Sequence, residues 1–282
     1  MRKTFFFFIG TEAELIKIFP VILECMNRDA ICNIISSGQN DLKKSRILSQ
    51  TKLNGNFIEL SNESSITKSA VGLLSWFIKT KHIAKKQIEN SFGTNALKGQ
   101  VIIVHGDTVS TLMGAWIGRR MGATVCHVEA GLRSYHMFNP FPEEIDRILT
   151  SRVSRIHFAP GVIPTQNLVK AKGIVVDTEY NTILDSLYYS KHMSVKTKEI
   201  REIIQTDYFV FVMHRQENLA RREFVKQVID RVKQFSEKRK CVLILHKITE
   251  NTLQEMGILE RLKNFNLNPN DILYIGSLAY NI

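Results

Sequence analysis

No apolar run in the sequence approaches the roughly 20 residues that a membrane-spanning helix requires. The most apolar stretch near the start, residues 4–9, follows Met1-Arg2-Lys3 and so has the outline of a short secretion signal. It ends at Gly10-Thr11-Glu12, where a signal would continue with further apolar residues. We therefore predict that residues 4–9 form a buried first strand and that the chain has no membrane span.

Cysteine is scarce, with four residues in a chain of 282. None belongs to a CxxC pair or to a Cys/His arrangement with metal-ligand spacing, so no metal site is predicted. All four lie in or beside apolar segments, where reduced thiols commonly pack as core residues. We therefore expect a cytoplasmic protein.

Several motifs of phosphate binding and nucleophilic catalysis are also missing. The sequence has no GxGxxG dinucleotide fingerprint, no P-loop and no GxSxG nucleophile elbow. Their absence disfavours NTP hydrolysis and acyl transfer, and it indicates no dinucleotide cofactor.

Acidic residues are fewer than basic ones, 27 against 38, which leaves a net charge of +11. Such an excess of positive charge favours binding to nucleic acid, to an anionic membrane surface or to phosphorylated small molecules. The alternative is a solvated basic surface without a partner. The cations are dispersed, apart from short clusters at 79–86 and 238–240, and aromatic residues are not interleaved with them. We therefore expect no nucleic-acid partner.

Short β-type segments alternate with longer amphipathic ones, which predicts an α/β protein with helices covering parallel sheets. The predicted strands are 4–9, 31–36, 101–104, 124–128, 155–158, 174–176, 208–213, 241–245 and 272–275. The predicted helices are 12–27, 40–50, 66–90, 108–121, 142–153, 163–171, 182–191, 221–237 and 249–263. A lysine-rich stretch at 191–202 indicates a boundary between a first domain, 1–180, and a second, 181–282.

Polar residues cluster where predicted strands end, and in parallel sheets this edge is the usual place for ligands. Segment 105–108 (HGDT) follows one strand and Glu129 follows the next. Asp107 either caps the following helix or takes part in chemistry. An acid such as Glu129 at the end of a buried strand needs a partner, for which Arg133 is a candidate, and it is itself a candidate general base.

The helix that begins at 142–147 (PEEIDR) carries further candidates. Glu143 complements the helix dipole in the first turn, and Arg147 lies four residues later on the same face. Carboxylates are common in first turns for that reason alone. Because this helix follows directly after Glu129, Glu143 is also a candidate for acid–base chemistry.

Other strand ends carry groups that suit an anion. Gly10 ends the first strand and offers backbone N–H groups, or it simply makes a tight turn, while Lys17 on the next helix faces either a ligand or solvent. Histidine is a common acid–base group, which makes His214 a candidate site residue, and Arg215 can bind a phosphate. His246, after another strand, is either a ligand contact or a structural residue.

Several segments together resemble one family, the non-hydrolysing UDP-N-acetylglucosamine 2-epimerases, from residue 1 to about residue 280. They are 10–11 (GT), 104–108 (VHGDT), 127–133 (HVEAGLR), 142–147 (PEEIDR), 181–185 (NTILD) and 214–218 (HRQEN). The resemblance implies two Rossmann-like domains with parallel sheets that face a cleft, as in GT-B glycosyltransferases, with the second domain incomplete here. It also implies a homodimer.

The reaction implied by this resemblance converts UDP-GlcNAc to UDP-ManNAc, for surface polysaccharide precursors, by loss and re-addition of UDP. It needs no cofactor and no metal. The resemblance makes Asp107, Glu129 and Glu143 the acid–base carboxylates, and makes His214 the group that contacts or protonates the departing phosphoryl group. The substrate-binding residues that it implies are Gly10, Lys17, Arg133, Arg147, Arg215, Glu217 and His246.

The chain departs from the family pattern in three places. Glu12-Ala13 stands where members carry Arg-Pro, and residues 37–40 (SGQN) stand where many bacterial members carry Gln-His for allosteric activation. Members also continue through a Ser-Gly-Gly segment that binds the nucleotide, so we expect a C-terminally truncated chain. The alternatives are a hydrolysing epimerase or GT-B glycosyltransferase, and an inactive sugar-nucleotide-binding paralogue.

Overall fold

The computed structural model divides the chain into two compact units, Met1–His192 and Met193–Ile282. The structure describes residues 2–60, 70–137, 142–192, 207–237, 239–245, 247–259 and 272–275. Within these ranges, no helix combines the length and the apolar character that crossing a membrane demands.

The first unit is built on seven parallel strands. They are β1 (Thr4–Ile9), β2 (Ile31–Ser36), β3 (Phe57–Glu59), β4 (Val101–His105), β5 (Thr124–Val128), β6 (Ile156–Ala159) and β7 (Ile174–Asp177). Their order in the sheet is β3-β2-β1-β4-β5-β6-β7. Strands β2 and β3 lie on one side of β1, and strands β4 to β7 lie on the other, so the strand order reverses between β1 and β4. In open parallel sheets a crevice for ligands opens at the carboxyl ends of the strands at such a point.

Helices cover this sheet on both faces. They are α1 (Glu12–Asn27), α2 (Arg46–Gln50), α3 (Ala70–Phe92), α4 (Val109–Arg120), α5 (Glu143–Val153), α6 (Val162–Asn167) and α7 (Ile183–His192), with a 3-10 turn at Leu42–Lys44. Helix α7 packs on α1, where the ring centroids of Phe19 and Tyr189 lie 6.1 Å apart. The residues on either side of Asn181 therefore belong to the first compact unit.

Strand β1 explains the phenylalanine run. Successive strand residues point to opposite faces, and both faces of this sheet are covered. Phe6 and Phe8 enter the core cluster that contains Trp76. Phe7 and Ile9 enter the cluster on the other face. A strand buried on both sides reads as a continuous apolar run, which confirms the prediction for residues 4–9.

The second unit contains a smaller parallel sheet. Its strands are β8 (Tyr208–Val212), β9 (Lys240–Ile244) and β10 (Ile272–Ile275), in the order β10-β9-β8. Its helices are α8 (Gln216–Leu219), α9 (Arg222–Ser236) and α10 (Lys247–Glu255). Val225, Ile229, Leu243 and Leu253 belong to its core. The prediction of an α/β protein with parallel sheets is confirmed.

Candidate active site

Glu129, the acid after β5, lies at the carboxyl edge of the larger sheet and is only 12% exposed. Both of its carboxylate oxygens accept hydrogen bonds from Lys17 Nζ, at 2.8 and 3.0 Å. Its Oε2 also lies 3.1 Å from His105 Nε2. The backbone of Glu129 has a φ of +65°, in the left-handed region that side-chain-bearing residues rarely adopt. Such strain persists where the surroundings fix it, and it is typical of functional sites.

Two histidines lie beneath this carboxylate and are kept neutral. Burial, with the Lys17 charge nearby, lowers the pKa of His105 to about 3. Burial likewise lowers the pKa of His127 to about 4. His127 Nε2 lies 2.7 Å from the carbonyl oxygen of Gly106, to which a neutral imidazole donates. The two buried imidazole rings therefore add no positive charge to the site at neutral pH.

A chain of ion pairs joins α5 to the end of β4. Arg147 donates to Asp107 Oδ2 and, at 3.4 Å, to Glu144 Oε2. Glu144 also accepts from Arg133 Nε and, at 2.9 Å, from the Ser134 N–H. Burial works to raise the pKa of Glu144, but these hydrogen bonds outweigh it and hold the pKa below its usual value. Glu144 is 1% exposed, so it acts as a fixed anchor for both arginines.

Two further acids of α5 lie near Asp107. Burial, together with the charges of Glu143 and Asp107, raises the pKa of Asp146 from 3.8 to about 7. Asp146 is 5% exposed. Within the described ranges, one carboxylate oxygen of Glu143 and one of Asp146 are buried without a hydrogen-bond partner. Burial without a partner favours the protonated form of the Asp146 carboxyl group.

Replacing Asp146 with asparagine is expected to stabilise the first unit at alkaline pH. The folded-state pKa lies above the unfolded one, so folded protein retains a proton that unfolded chain releases between about pH 4 and pH 7. The free energy of unfolding therefore falls as pH rises through this window. Asp146→Asn should remove that loss, which amounts to roughly 4 kcal/mol at pH 8.

Urea unfolding at pH 5 and pH 8 measures this effect for Asp146→Asn. Trp76 and Trp116 are the two tryptophans of the chain and both lie in the first unit, so their fluorescence reports on it. The matched control is Asp185→Asn, at an exposed position on α7. Equal stability differences from the unmodified protein at both pH values would contradict the assignment.

Glu14 joins the two loops at the point where the strand order reverses. Its Oε2 accepts from the N–H groups of Gly10 at 2.6 Å and Thr11 at 3.3 Å. Its Oε1 accepts from the hydroxyl groups of Thr108 and Thr111. Burial raises the pKa of Glu14 to about 7, against the opposing effect of these donors. Glu14 therefore positions the β1–α1 and β4–α4 loops relative to each other.

The turn after β1 differs from an open anion cradle. The Gly10 and Thr11 N–H groups donate to Glu14, and the Glu12 N–H donates to Asn40 Oδ1 at 3.1 Å. A Cβ at Gly10 would lie 2.0 Å from Ser110 Oγ, so close packing against α4 requires glycine there. The Glu12 carboxylate accepts from Ser45 Oγ at 2.7 Å. Phosphate contact at Gly10 stays a prediction, and the packing alone accounts for the glycine.

The candidate pairing of Glu129 with Arg133 is wrong. Arg133 was expected beside Glu129, but it binds Glu144, because the chain after Glu129 turns toward the first turn of α5. Lys17 takes the place beside Glu129, since α1 begins directly after the neighbouring strand β1. Arg147 binds Asp107 and Glu144 and is not paired with Glu143.

Three residues of this region were not predicted from the sequence. Glu14 completes a capping box with Thr11, and the pattern Thr-x-x-Glu at a helix start would have revealed it. Glu144 and Asp146 share the first turns of α5 with Glu143, and sequence alone does not distinguish which of these acids is buried. The structure identifies Glu144 as the partner of both arginines.

The remaining predicted residues lie in the second unit. Arg215 precedes α8, and Glu217 lies in its first turn, next to the end of β8. His214 and Arg215 have exposed side chains. His246 lies outside the described residues. Among the residues that are described, no group of three His, Cys, Asp or Glu side chains is arranged to hold a metal ion.

Comparison with known proteins supports the family resemblance. A family model described as UDP-N-acetylglucosamine 2-epimerase matches residues 81–281. A protein of that name from Methanocaldococcus jannaschii is 28% identical, over 91% of this chain and 69% of the relative. A UDP-N-acetylglucosamine 2-epimerase homolog from Methanococcus maripaludis is 30% identical, over 91% of this chain and 69% of the relative.

A solved structure agrees with these relatives in fold. The Methanocaldococcus jannaschii UDP-GlcNAc 2-epimerase, in complex with UDP-GlcNAc and UDP, matches with a TM-score of 0.70 and 24% identity. The match covers 98% of this chain and 73% of that structure. The family model spans well over half of the chain and includes the segments that hold Asp107, Glu129, Glu143 and Arg147. This chain therefore belongs to the UDP-N-acetylglucosamine 2-epimerase family.

Proposed function

We propose that the protein interconverts UDP-GlcNAc and UDP-ManNAc by elimination and re-addition of UDP. The observation that carries this proposal is the placement of Glu129. Glu129 follows β5, has a strained left-handed backbone conformation and forms an ion pair with Lys17. It lies at the same sheet edge as Asp107. Family membership supports the same substrate, since the relatives are named for it.

The proposed chemistry requires proton transfer at C2. A carboxylate removes the C2 proton, the electron pair forms a C1–C2 double bond, and the C1–O bond to the diphosphate breaks, so that UDP leaves as an anion. In the return step a UDP oxygen attacks C1 and C2 takes a proton on the opposite face. Two faces of the sugar call for two proton-transfer groups, and we assign Glu129 together with Asp107 or Glu143 to them.

The charge of UDP must be balanced while it is detached from the sugar. Lys17, Arg133 and Arg147 provide cations at the edge of the larger sheet. In the second unit we assign the phosphate contacts to His214 and Arg215. Gly10 is assigned to the phosphate as well, and Glu217 and His246 are assigned to substrate binding. Charge-assisted hydrogen bonds to phosphate oxygens are strong enough for this purpose.

We propose further that the enzyme acts as a cytoplasmic homodimer that supplies precursors for a surface polysaccharide. In this proposal the acid–base domain corresponds to the first compact unit and the nucleotide-binding domain to the second. The four cysteines are free thiols, which suits a reducing compartment.

Deuterium exchange tests the proposed reaction. Incubating the protein with UDP-GlcNAc in D₂O should place deuterium at C2 of both epimers, without net accumulation of UDP. NMR measures the incorporation of deuterium. Accumulation of UDP with free sugar would identify a hydrolysing enzyme, and accumulation only with an acceptor would identify a glycosyltransferase. A folded protein that binds UDP-GlcNAc without any C2 exchange would contradict the proposal and identify a binding protein.

A further inference from the structure

A polar cavity of the first unit lies beside α5. Its volume is about 470 Å³. Its walls are one face of α5, the segment just after β5, and the turn that leads from α6 into β7. Asp107, Glu129 and Glu143 do not line it. Arg133 and Arg147, which the proposed function assigns to the charge of UDP, are shared with it, whereas Arg152, Lys170 and Lys172 belong to the cavity alone. We call it the α5 pocket.

The α5 pocket is strongly basic. Its lining includes five cationic side chains: Arg133, Arg147, Arg152, Lys170 and Lys172. Glu144 and Asp107 pair with Arg133 and Arg147, which leaves the other three cations without a carboxylate partner among the described residues. Like charges that converge on one cavity repel one another, and a bound anion relieves that repulsion. A concave wall of low dielectric also focuses the field into the cavity, which strengthens attraction for an anion.

Much of the hydrogen-bonding capacity of these cations is unused. Arg133 donates its Nε–H to Glu144. The described part of the chain shows no acceptor for its two terminal amino groups. Arg152, Lys170 and Lys172 form no ion pair with any described residue. A guanidinium has five N–H donors and an ammonium has three, so the pocket can satisfy several oxygens at once.

The geometry points to a binding site for a small phosphorylated ligand that carries more than one negative charge. We propose that the α5 pocket binds a pyrophosphate-type group. Arginine and lysine together match the many acceptor oxygens and the multiple charge of a diphosphate better than those of a monocarboxylate. The volume also lies within the roughly 300–1,000 Å³ of ordinary small-molecule sites.

Binding of inorganic pyrophosphate, measured by isothermal titration calorimetry in the presence of saturating UDP, tests the α5 pocket. UDP fills the nucleotide site, and a loss of pyrophosphate binding that is confined to variants of Arg152, Lys170 or Lys172 then reports on the α5 pocket, because none of these three residues is assigned to UDP. The Lys170→Gln/Lys172→Gln variant should bind pyrophosphate at least about tenfold more weakly than the unmodified protein. Both lysines are exposed, so the fold should survive. Arg152→Gln, on a different wall, should also weaken binding.

The matched control is Lys3→Gln/Lys52→Gln, which removes the same charge from exposed positions outside the pocket lining. It should leave pyrophosphate affinity unchanged. Equal loss in both double variants would show a general charge effect and overturn the proposal, as would unchanged affinity in the pocket variants. Tighter binding of a single-stranded oligonucleotide than of pyrophosphate, lost in the same pocket variants, would overturn it in favour of nucleic acid. None of these outcomes depends on catalysis.

Discussion

Replacing Glu129 with glutamine is expected to lower the rate of C2 exchange by roughly 10²–10⁴-fold, the usual contribution of a general base. The amide keeps the size of the side chain but cannot take up a proton. The change also leaves Lys17, whose ammonium donates to both carboxylate oxygens, without its anionic partner. Initial rates of deuterium incorporation at C2 of UDP-GlcNAc measure the effect directly.

The matched control for this experiment is Glu24→Gln. Glu24 lies on α1 and forms an exposed ion pair of 2.6 Å with Arg28, so the same chemical change is made in an ion pair away from the site. Exposed pairs contribute about 1 kcal/mol or less, and exchange should proceed at the unmodified rate. A Glu129→Gln protein that is folded and exchanges within tenfold of the unmodified rate would remove Glu129 from the mechanism.

The strained backbone of Glu129 bears on how this result is interpreted. A non-glycine residue in the left-handed region costs on the order of 1–2 kcal/mol. Glutamine keeps the same backbone requirement, so a lost rate cannot be assigned to a relaxed main chain. The variant therefore isolates the loss of the carboxylate from the conformation that presents it.

The strands of the larger sheet follow closely from local sequence. Residues 4–9, 31–36 and 124–128 were predicted with the bounds that β1, β2 and β5 have. Each is rich in aromatic or β-branched residues and ends at a turn, and burial on both faces allows few polar residues within it. Such signals depend on neighbours in the chain, which is why they can be interpreted without a structure.

Local sequence patterns do not predict strand β3 or the break within residues 40–50. Strand β3 has three residues, and its pairing with β2 rather than any local pattern defines it. Residues 40–50 were expected to form one helix. Ser45 has an extended conformation, with φ −62° and ψ 128°, and it separates the 3-10 turn from α2. Its hydroxyl donates to Glu12, 33 residues earlier, so a tertiary contact accompanies the break.

The candidate site likewise has some features that local sequence predicts and others that depend on tertiary contacts. That Asp107 and Glu129 would lie at one edge follows from their places after adjacent parallel strands. Their partners do not follow, because they depend on how helices lie over the sheet. Lys17 and Glu129 are 112 residues apart in the chain, and Arg147 and Asp107 are 40 residues apart. Helix placement over the strands, rather than sequence spacing, selects these pairs.

Arg147 is the second residue whose loss should have a large effect. Its guanidinium spans Asp107 and the buried Glu144, so it fixes the Asp107 carboxylate relative to α5. Hydrogen bonds to charged groups contribute about 1.5–3 kcal/mol each. Arg147→Met keeps much of the aliphatic stem but removes both bonds, and kcat/KM for epimerisation should fall by about 100-fold.

Arg147→Lys separates the role of charge from the role of shape. A lysine restores one positive charge, but a single ammonium lacks the planar fork that reaches two carboxylates at once. We therefore expect it to recover only a small part of the activity lost in Arg147→Met. Recovery to the unmodified rate would show that Arg147 acts only as a nearby charge, and the positioning of Asp107 would then need another cause.

Arg28→Met is the control for the methionine substitution, because Arg28 also pairs with a carboxylate but at an exposed position. Its kcat/KM should equal that of the unmodified protein. Glu144 keeps Arg133 and the Ser134 N–H when Arg147 is lost, so the first unit should remain folded, as tryptophan fluorescence can verify. Full activity in folded Arg147→Met would contradict a positioning role. Reduced activity with intact folding would place the contact between α5 and Asp107 within the catalytic machinery.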